Sequence, residues 1–202
     1  MNRTNTIKYA IETFGYKRYL ELGCENNNNF NQIKCDYKVG VDMIKGGTHR
    51  MSTDDFFASN NETFDVIFID ACHHHDQVYK DFDNSLKVLE KGGMIIMHDC
   101  NPHNERYESQ DRCGTVWRVM VRHIRSNQEL DSIVGDYDHG VGIVKVRKNT
   151  NALNIDKSMN DLCYTDLVNN RKNWLKLLSW KEVLEWIKSL NYWVIYDNLF
   201  PL

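Results

Sequence analysis

The hydrophobic positions of this chain alternate between short continuous runs and helically spaced stripes. The strand-like runs occupy residues 18–23, 37–42, 64–70 and 94–99. Apolar runs of this length, ended by Gly or Asp turns, are typical of parallel strands buried on both faces. Apolar residues recur at helical spacing at 7–14 and again at 78–89. The alternation of strands and helices predicts a parallel α/β sheet.

Two features of the second half modify this picture. The runs LDSIVGDY and VGIVKV flank a turn at 138–140, which predicts a hairpin with one antiparallel strand. From residue 148 an Asn-rich linker precedes two helical patterns, at 167–178 and from Ser179, where Ser179 and Glu182 form a capping box. We therefore predict a core at 1–147 and a helical appendage at 148–202, within one domain overall. The aromatic segment 191–202 is apolar enough to pack.

Composition narrows the class of protein. A length of 202 residues suits one domain, and 42% hydrophobic with 26% charged residues is ordinary for a globular chain. A mean hydropathy of −0.57 leaves no room for a membrane span. The net charge of −3 disfavours nucleic acid as a partner. The amino terminus lacks the apolar core of a signal peptide, so we expect a cytoplasmic protein whose six singly spaced cysteines are reduced thiols.

Acidic and polar residues follow four predicted strands at the point where each strand ends. They are Glu21 with Gly23, Asp42, Asp70, and His98 with Asp99. In an open α/β sheet, ligands bind at the carboxyl ends of the strands. One acid ending a strand is usually a helix cap, whereas four in register indicate a binding site.

The segments RYLELGCENNNNF, KVGVDMIKGGTHRMSTDDFF and FDVIFIDACHHHDQVYKDF, with the later MIIMHDCNP, resemble the class I S-adenosylmethionine-dependent methyltransferases. They are most similar to a small branch that carries Asp-Gly-x-His-x-Tyr followed by a His-Asp pair and is related to sugar O-methyltransferases. The resemblance covers roughly residues 5–147. It implies a doubly wound, Rossmann-like, mostly parallel seven-stranded sheet with an antiparallel hairpin strand, and S-adenosylmethionine as the cofactor.

The resemblance also implies roles for cofactor-binding residues. Glu21 and Gly23 would lie against the methionine moiety, and Asp42 would accept hydrogen bonds from the ribose hydroxyls. Asp54 matches an acid near the adenine amino group, although a carboxylate that stabilises a helix N-terminus is an equally good interpretation. The remaining expected cofactor contacts are Met43, Asp70 and Ala71.

The loop CENNNN departs from the glycine-rich pattern of this class. Asn tolerates the left-handed backbone region that such a loop needs, so Asn27 is expected to substitute for a missing glycine as a cofactor-binding residue. The alternative is a solvated polar loop that binds nothing.

Three consecutive histidines follow the third predicted strand. Asp70 and Ala71 take the Asp-Gly place and His73 takes the place of the family histidine. An ordinary pKa near 6.5 suits His73 as the general base for a substrate hydroxyl, with Asp70 and Asp99 as its catalytic partners. A helix-start histidine bonded to backbone is the alternative. His74 and His75 are expected at the surface.

Asp70, His98 and Asp99 together are a candidate metal site. Related sugar methyltransferases hold a divalent ion with an acid after this strand and an acidic pair after the next. Here His98 replaces one carboxylate, which either shifts preference from Mg²⁺ towards Mn²⁺ or Zn²⁺ or abolishes the ion.

The leading hypothesis is an S-adenosylmethionine-dependent O-methyltransferase that acts on a small-molecule acceptor, with a sugar or glycan hydroxyl as the first choice. Two other hypotheses remain open. One is a metal-dependent hydrolase built on DACHHHD and HDCNPH, and the other is a non-catalytic cofactor-binding partner protein. The sequence leaves open whether the chain forms a homo-oligomer.

Overall fold

A single seven-stranded sheet forms the centre of the computed structural model, which describes residues 1–199 and the side-chain surroundings of residues 1–190. Its strands are β1 (Arg18–Leu22), β2 (Tyr37–Val41), β3 (Phe64–Ile69), β4 (Leu89–Met97), β5 (Leu130–Gly135), β6 (Val141–Val146) and β7 (Leu177–Leu178). Their order across the sheet is β2-β1-β3-β4-β6-β5-β7. Only β6 runs antiparallel to its neighbours, β4 and β5. The predicted mostly parallel sheet with a hairpin strand is confirmed.

Helices cover both faces of the sheet, which makes the fold doubly wound. The helices are α1 (Arg3–Phe14), α2 (Thr53–Ser59), α3 (His75–Val88), α4 (Val116–Val119), α5 (Tyr164–Leu175) and α6 (Trp180–Leu199). Phe56, Phe82 and Trp117, from α2, α3 and α4, are buried in one hydrophobic layer. Ile7 of α1 and Ile187 of α6 are buried in the layer on the other face. The two layers exclude water from both faces of the sheet, consistent with the apolar runs of its strands.

The helix caps indicated by the sequence at Ser52 and Ser179 are present in the structure. Ser52 Oγ accepts a 3.0 Å hydrogen bond from the Asp55 backbone at the start of α2. The capping box predicted at Ser179 is present, because the Ser179 backbone donates to Glu182 Oε2 at 2.8 Å. α6 runs to Leu199, and what the aromatic segment 191–202 contacts lies outside the described residues. Among the described helices, none is both long and apolar enough to cross a bilayer.

The helix predicted at 167–178 ends three residues early. Lys176 adopts a left-handed conformation with φ of 48°, which stops α5 at Leu175. Leu177 and Leu178 then pair with β5 as an edge strand. Helical periodicity continued through these leucines, so the sequence pattern did not reveal the break.

The antiparallel direction of β6 has a consequence for the site. β5 runs parallel to the other strands of the sheet except β6, so the β5–β6 turn lies at the edge where β1–β4 end. This turn contains Asp138 and His139, both with positive φ, of 48° and 60°. Non-glycine residues seldom adopt this conformation, and such residues cluster at functional sites.

Candidate active site

A cleft of about 1330 Å³ lies at the carboxyl edge of the sheet. Its lining includes ten residues expected at the site from the sequence: Glu21, Gly23, Asp42, Met43, Asp54, Asp70, Ala71, His73, His98 and Asp99. Asn27 lies outside this lining. The sheet order places the ends of β2 and β1 on one side of the cleft and the ends of β3 and β4 on the other.

The turn after β1 brings two backbones into close contact. Gly23 has φ of 85°, and a Cβ on this residue would lie 2.2 Å from the carbonyl oxygen of Asp70. A side chain is therefore excluded by both conformation and space. Asn27 has φ of 61°, the left-handed conformation expected of a glycine substitute. Its Oδ1 accepts a 2.7 Å hydrogen bond from the Gly47 backbone, so Asn27 supports the loop after β2 and does not face the cleft.

Asp42, at the end of β2, is surrounded by backbone donors. Oδ2 accepts hydrogen bonds from the amides of Cys24 at 3.0 Å and Glu25 at 2.8 Å. Oδ1 accepts from the amides of Ile44 at 2.8 Å and Lys45 at 3.0 Å. Burial raises the pKa of Asp42, but these hydrogen bonds outweigh it and lower the pKa below its usual range. Asp42 therefore joins the two loops, and a ribose hydroxyl has to share or displace these donors.

Glu21 is a buried carboxyl group at the end of β1. Its Oε2 accepts hydrogen bonds from the Tyr19 hydroxyl and, at 2.9 Å, from Asn29 Nδ2. Thr4 Oγ1 donates to Asn29 Oδ1 at 2.7 Å, which fixes the orientation of that amide. Burial is the largest cause that raises the pKa of Glu21 to about 7. A cationic group of a bound ligand would favour the ionised form of this carboxyl.

A pH-dependent affinity follows for S-adenosylhomocysteine, which carries an ammonium group. If Glu21 lies against that ammonium, as the sequence resemblance implies, the affinity should rise about tenfold between pH 6 and pH 8, as Glu21 loses its proton with a pKa of about 7. Calorimetric titration across this range measures the effect. Glu21→Gln is the control, since the amide keeps the shape without the charge. An equal pH dependence in both proteins would contradict the assignment.

Asp54 and Met43 line the cofactor side of the cleft. Asp54 lies in the first turn of α2 and accepts a 2.9 Å hydrogen bond from Gln77 Nε2. It therefore both stabilises the helix start and faces the cleft, so neither sequence interpretation of Asp54 is eliminated. Met43 is 67% exposed, which leaves its side chain free to cover a ligand.

The three histidines have three different surroundings. His73 lines the cleft, and His74 caps α3 through a 3.4 Å hydrogen bond from the Asp76 backbone to Nδ1. His75 is only 5% exposed, with Nδ1 at 2.9 Å from Thr115 Oγ1 and Nε2 at 2.6 Å from Asn160 Oδ1. The expectation that His75 lies at the surface was wrong. Both of its ring nitrogens have protein partners, which argues against a metal held by the histidine triplet.

His73 is held by hydrogen bonds on both sides of its ring. Nδ1 lies 3.1 Å from the Gln110 carbonyl, which only accepts, so Nδ1 carries a proton. Nε2 faces Asp70 Oδ1 at 3.5 Å and Asp99 Oδ2 at 3.4 Å. Burial lowers the pKa of His73, but the two carboxylates outweigh it and raise the pKa above 6.5. Nε2 is thus the atom at which a proton is gained or lost.

Asp70, Asp99 and His98 form the polar floor behind His73. Asp99 is 5% exposed and has φ of 59°. His98 Nδ1 lies 3.3 Å from Asp70 Oδ1 and 3.1 Å from Asp99 Oδ2. This arrangement orients both carboxylates towards the cleft.

Two opposing effects act on the protonation of His98. Burial lowers its pKa, and the carboxylates of Asp70, Asp138 and Asp99 outweigh burial and raise it. Arg3 Nη1, however, lies only 2.6 Å from His98 Nε2. A guanidinium group only donates, so this contact requires Nε2 to accept and opposes protonation of the ring at that nitrogen.

The candidate metal donors at the cleft floor share Asp70 and Asp99 with the predicted set and add His73. Among the described residues, the donors at the cleft floor that lie within 4.8 Å of one another belong to Asp70, His73 and Asp99. His98 Nδ1 lies beside the same two carboxylates, whereas its Nε2 faces Arg3. An ion at this place would take the nitrogen of His73 that faces both carboxylates.

Several residues at the cleft were not identified from the sequence. They are Arg3, Tyr107, Arg112, Asp138 and His139. The turn at 138–140 was predictable as part of the site. It follows β5, which runs parallel to β1–β4, so the turn lies at the carboxyl edge of the sheet. Arg3 carried no signal, because the approach of α1 to the strand ends depends on packing between distant segments.

Comparisons with known proteins agree with this architecture. Residues 14–100 match a family model described as a methyltransferase domain. The SAH-bound Podospora anserina methyltransferase PaMTH1 is 15% identical, with a TM-score of 0.53 over 73% of this chain and 78% of that one. A structure from Staphylococcus aureus, described as that of a candidate caffeoyl-CoA O-methyltransferase, is 16% identical. Its TM-score is 0.52 over 70% of this chain and 81% of that one. The SAH-bound O-methyltransferase from Bacillus cereus is 15% identical, with a TM-score of 0.50 over 71% and 80%.

The family match covers residues 14–100, which is less than half of the chain, and the solved structures share its fold. The chain therefore has the fold of these methyltransferases, and its sequence resembles the S-adenosylmethionine-dependent class. No protein of curated function matches the sequence. The acceptor must therefore be argued from the cleft itself.

Proposed function

We propose that the protein is an O-methyltransferase that transfers a methyl group from S-adenosylmethionine to a hydroxyl of a small sugar or glycan acceptor. The observation that carries this proposal is the division of one cleft. Glu21 and Asp42, expected at the cofactor, lie at the ends of β1 and β2, whereas His73 follows β3. This order supports a cofactor on one side and a base on the other.

The proposed chemistry is proton removal by His73. S-adenosylmethionine, when bound, supplies an electrophilic sulfonium methyl group. His73 Nε2 would accept the proton of the acceptor hydroxyl as the oxygen bonds to the methyl carbon and the carbon–sulfur bond breaks, with S-adenosylhomocysteine as the leaving group. Asp70 and Asp99 stabilise the resulting imidazolium from 3.5 and 3.4 Å. The Gln110 carbonyl keeps the other proton on Nδ1, which leaves Nε2 free to act.

The polarity of the acceptor side supports a polyhydroxylated substrate. Tyr107, Gln110, Asp111, Arg112 and His139 line this part of the cleft. Carboxylate, amide and guanidinium groups offer both acceptors and donors to hydroxyls. The Tyr107 ring, with Arg112 4.8 Å from its centre, supplies an aromatic surface for a sugar ring. A flat apolar acceptor would leave these polar groups unpaired.

Metal binding at this floor is not part of the proposed reaction. Asp70, His73 and Asp99 offer two carboxylates and one imidazole, a set better suited to Mn²⁺ or Zn²⁺ than to Mg²⁺. The imidazole is also the proposed base, and one nitrogen cannot both bind an ion and accept a proton.

One series of measurements separates the competing functions. Calorimetry with S-adenosylhomocysteine is combined with a methyl-transfer assay on a panel of sugars, each with EDTA and with added Mn²⁺ or Zn²⁺. Binding of S-adenosylhomocysteine with transfer to a sugar hydroxyl supports the proposal. Tight zinc binding without S-adenosylhomocysteine binding would support a hydrolase. Binding without transfer to the panel, or to other hydroxylated acceptors, would support a non-catalytic partner.

A further inference from the structure

Arg3 extends from the first turn of α1 into the acidic floor of the cleft. Its backbone amide donates to Asp138 Oδ2 at 2.8 Å, and its Nη1 lies 3.4 Å from Asp138 Oδ1. The same Nη1 lies 2.6 Å from His98 Nε2, and Nε lies 3.8 Å from Asp70 Oδ2. One guanidinium thus contacts residues that follow β3, β4 and β5.

The carboxylates at this floor favour a neighbouring cation. Asp70, Asp99 and Asp138 provide three carboxylates, all at least four-fifths buried by side-chain exposure. A guanidinium stays protonated at any ordinary pH, and its several donors in a fixed plane match a site with acceptors on several sides. Arg3 therefore supplies positive charge at the place where Asp70 and His98 were expected to hold a divalent ion.

We propose that Arg3 is a built-in cation that takes the place of a divalent ion at the Asp70, His98 and Asp138 side chains and keeps such ions out. The inference concerns cation binding by the protein without ligands. It therefore stands or fails independently of the proposed acceptor and of His73 as the base. It also assigns α1 a role in the site, because the helix carries this cation into place.

The test is direct binding of Mn²⁺, measured by electron paramagnetic resonance at pH 8. Wild-type protein is expected to bind Mn²⁺ weakly, because the Arg3 guanidinium lies beside Asp70, which is also one of the candidate donors with His73 and Asp99. Arg3→Met removes the guanidinium and should tighten Mn²⁺ binding by at least about tenfold, since the loss of one charge near 4 Å is worth this much at an intermediate dielectric. Lys8→Met is the control, because it removes one positive charge from the same helix without contact with the floor.

Two further measurements make the result decisive. Arg3→Lys retains the charge and should exclude Mn²⁺ more strongly than Arg3→Met does. Added Mn²⁺ should raise the melting temperature of Arg3→Met and leave that of wild type and Lys8→Met nearly unchanged. Equal Mn²⁺ affinity in wild type and Arg3→Met, whether tight or undetectable, would overturn the inference. A further outcome is that Arg3→Met is unfolded in the absence of metal. In that case, recovery of its folded circular dichroism spectrum with Mn²⁺ but not with EDTA supports the inference, and failure to recover with Mn²⁺ counts against it.

Discussion

His73→Asn is expected to lower kcat for methyl transfer by about 10²- to 10⁴-fold, the usual contribution of a general base. Asparagine keeps a polar side chain of similar reach but cannot accept a proton at neutral pH. Because the cofactor-side residues Glu21 and Asp42 are untouched, affinity for S-adenosylhomocysteine should change by less than about threefold. The assay follows transfer to the best acceptor together with calorimetric titration.

The neighbouring histidine provides the matched control for this substitution. His74 caps α3 and is not part of the cleft lining, and Asn is itself a favourable helix cap. His74→Asn should therefore retain wild-type kcat. If His73→Asn also retained it, His73 would be a structural residue and not the base.

The pH profile gives an independent check on His73. The base form is required, and the carboxylates raise the pKa of His73 above 6.5, so kcat/KM should increase with pH through a value above that of an ordinary histidine. Asp99→Asn removes one of the causes of this rise. Its acidic limb should therefore move to lower pH, whereas an unmoved limb would assign the titration to another group.

Gly23→Ala is expected to abolish measurable binding of S-adenosylhomocysteine and to destabilise the fold by several kcal/mol. The added Cβ would lie 2.2 Å from the Asp70 carbonyl oxygen, and φ of 85° disfavours any side chain. Relief requires β1 and β3 to separate at their ends, which displaces both the cofactor loop and the residues before His73. Thermal unfolding and calorimetry measure the two effects.

Gly92 separates the effect of space from that of conformation. It has φ of 81°, close to that of Gly23, yet a Cβ there meets nothing within 4 Å. Gly92→Ala should cost only about 1 kcal/mol, the conformational part. Similar losses in the two variants would show that crowding at Asp70 does not matter.

The sheet was predictable because its strands are buried on both faces. The runs at 66–69 in β3 and 94–97 in β4 are continuous, apolar and buried, and each is followed by a turn signal, so local sequence and tertiary burial agree. The segment 167–178 shows the opposite case. Leu177 and Leu178 continue a helical pattern, but pairing with the exposed edge of β5 determines their conformation. Local periodicity carries no information about an unpaired edge.

The site was predictable where it depends on strand ends and unpredictable where it depends on packing. Asp70, His73 and Asp99 follow strands directly, so the parallel topology alone brings them together. His75 was misplaced because its burial depends on Thr115 and Asn160, which are 40 and 85 residues away along the chain. Arg3 reaches Asp138 across 135 residues, a contact that no short motif encodes.

The arrangement around Asp42 has a consequence for how tightly any ribose is held. Its carboxylate already accepts from the amides of Cys24, Glu25, Ile44 and Lys45 in the ligand-free protein. Ribose binding at this acid is therefore an exchange of one set of hydrogen bonds for another, and the free energy gained is only the difference between them. A cofactor analogue without a ribose hydroxyl would therefore lose only this difference in binding free energy, which is smaller than the free energy of a complete hydrogen bond. If Asp42 holds the ribose, we expect this carboxylate to contribute only modestly to selectivity for the sugar of the cofactor.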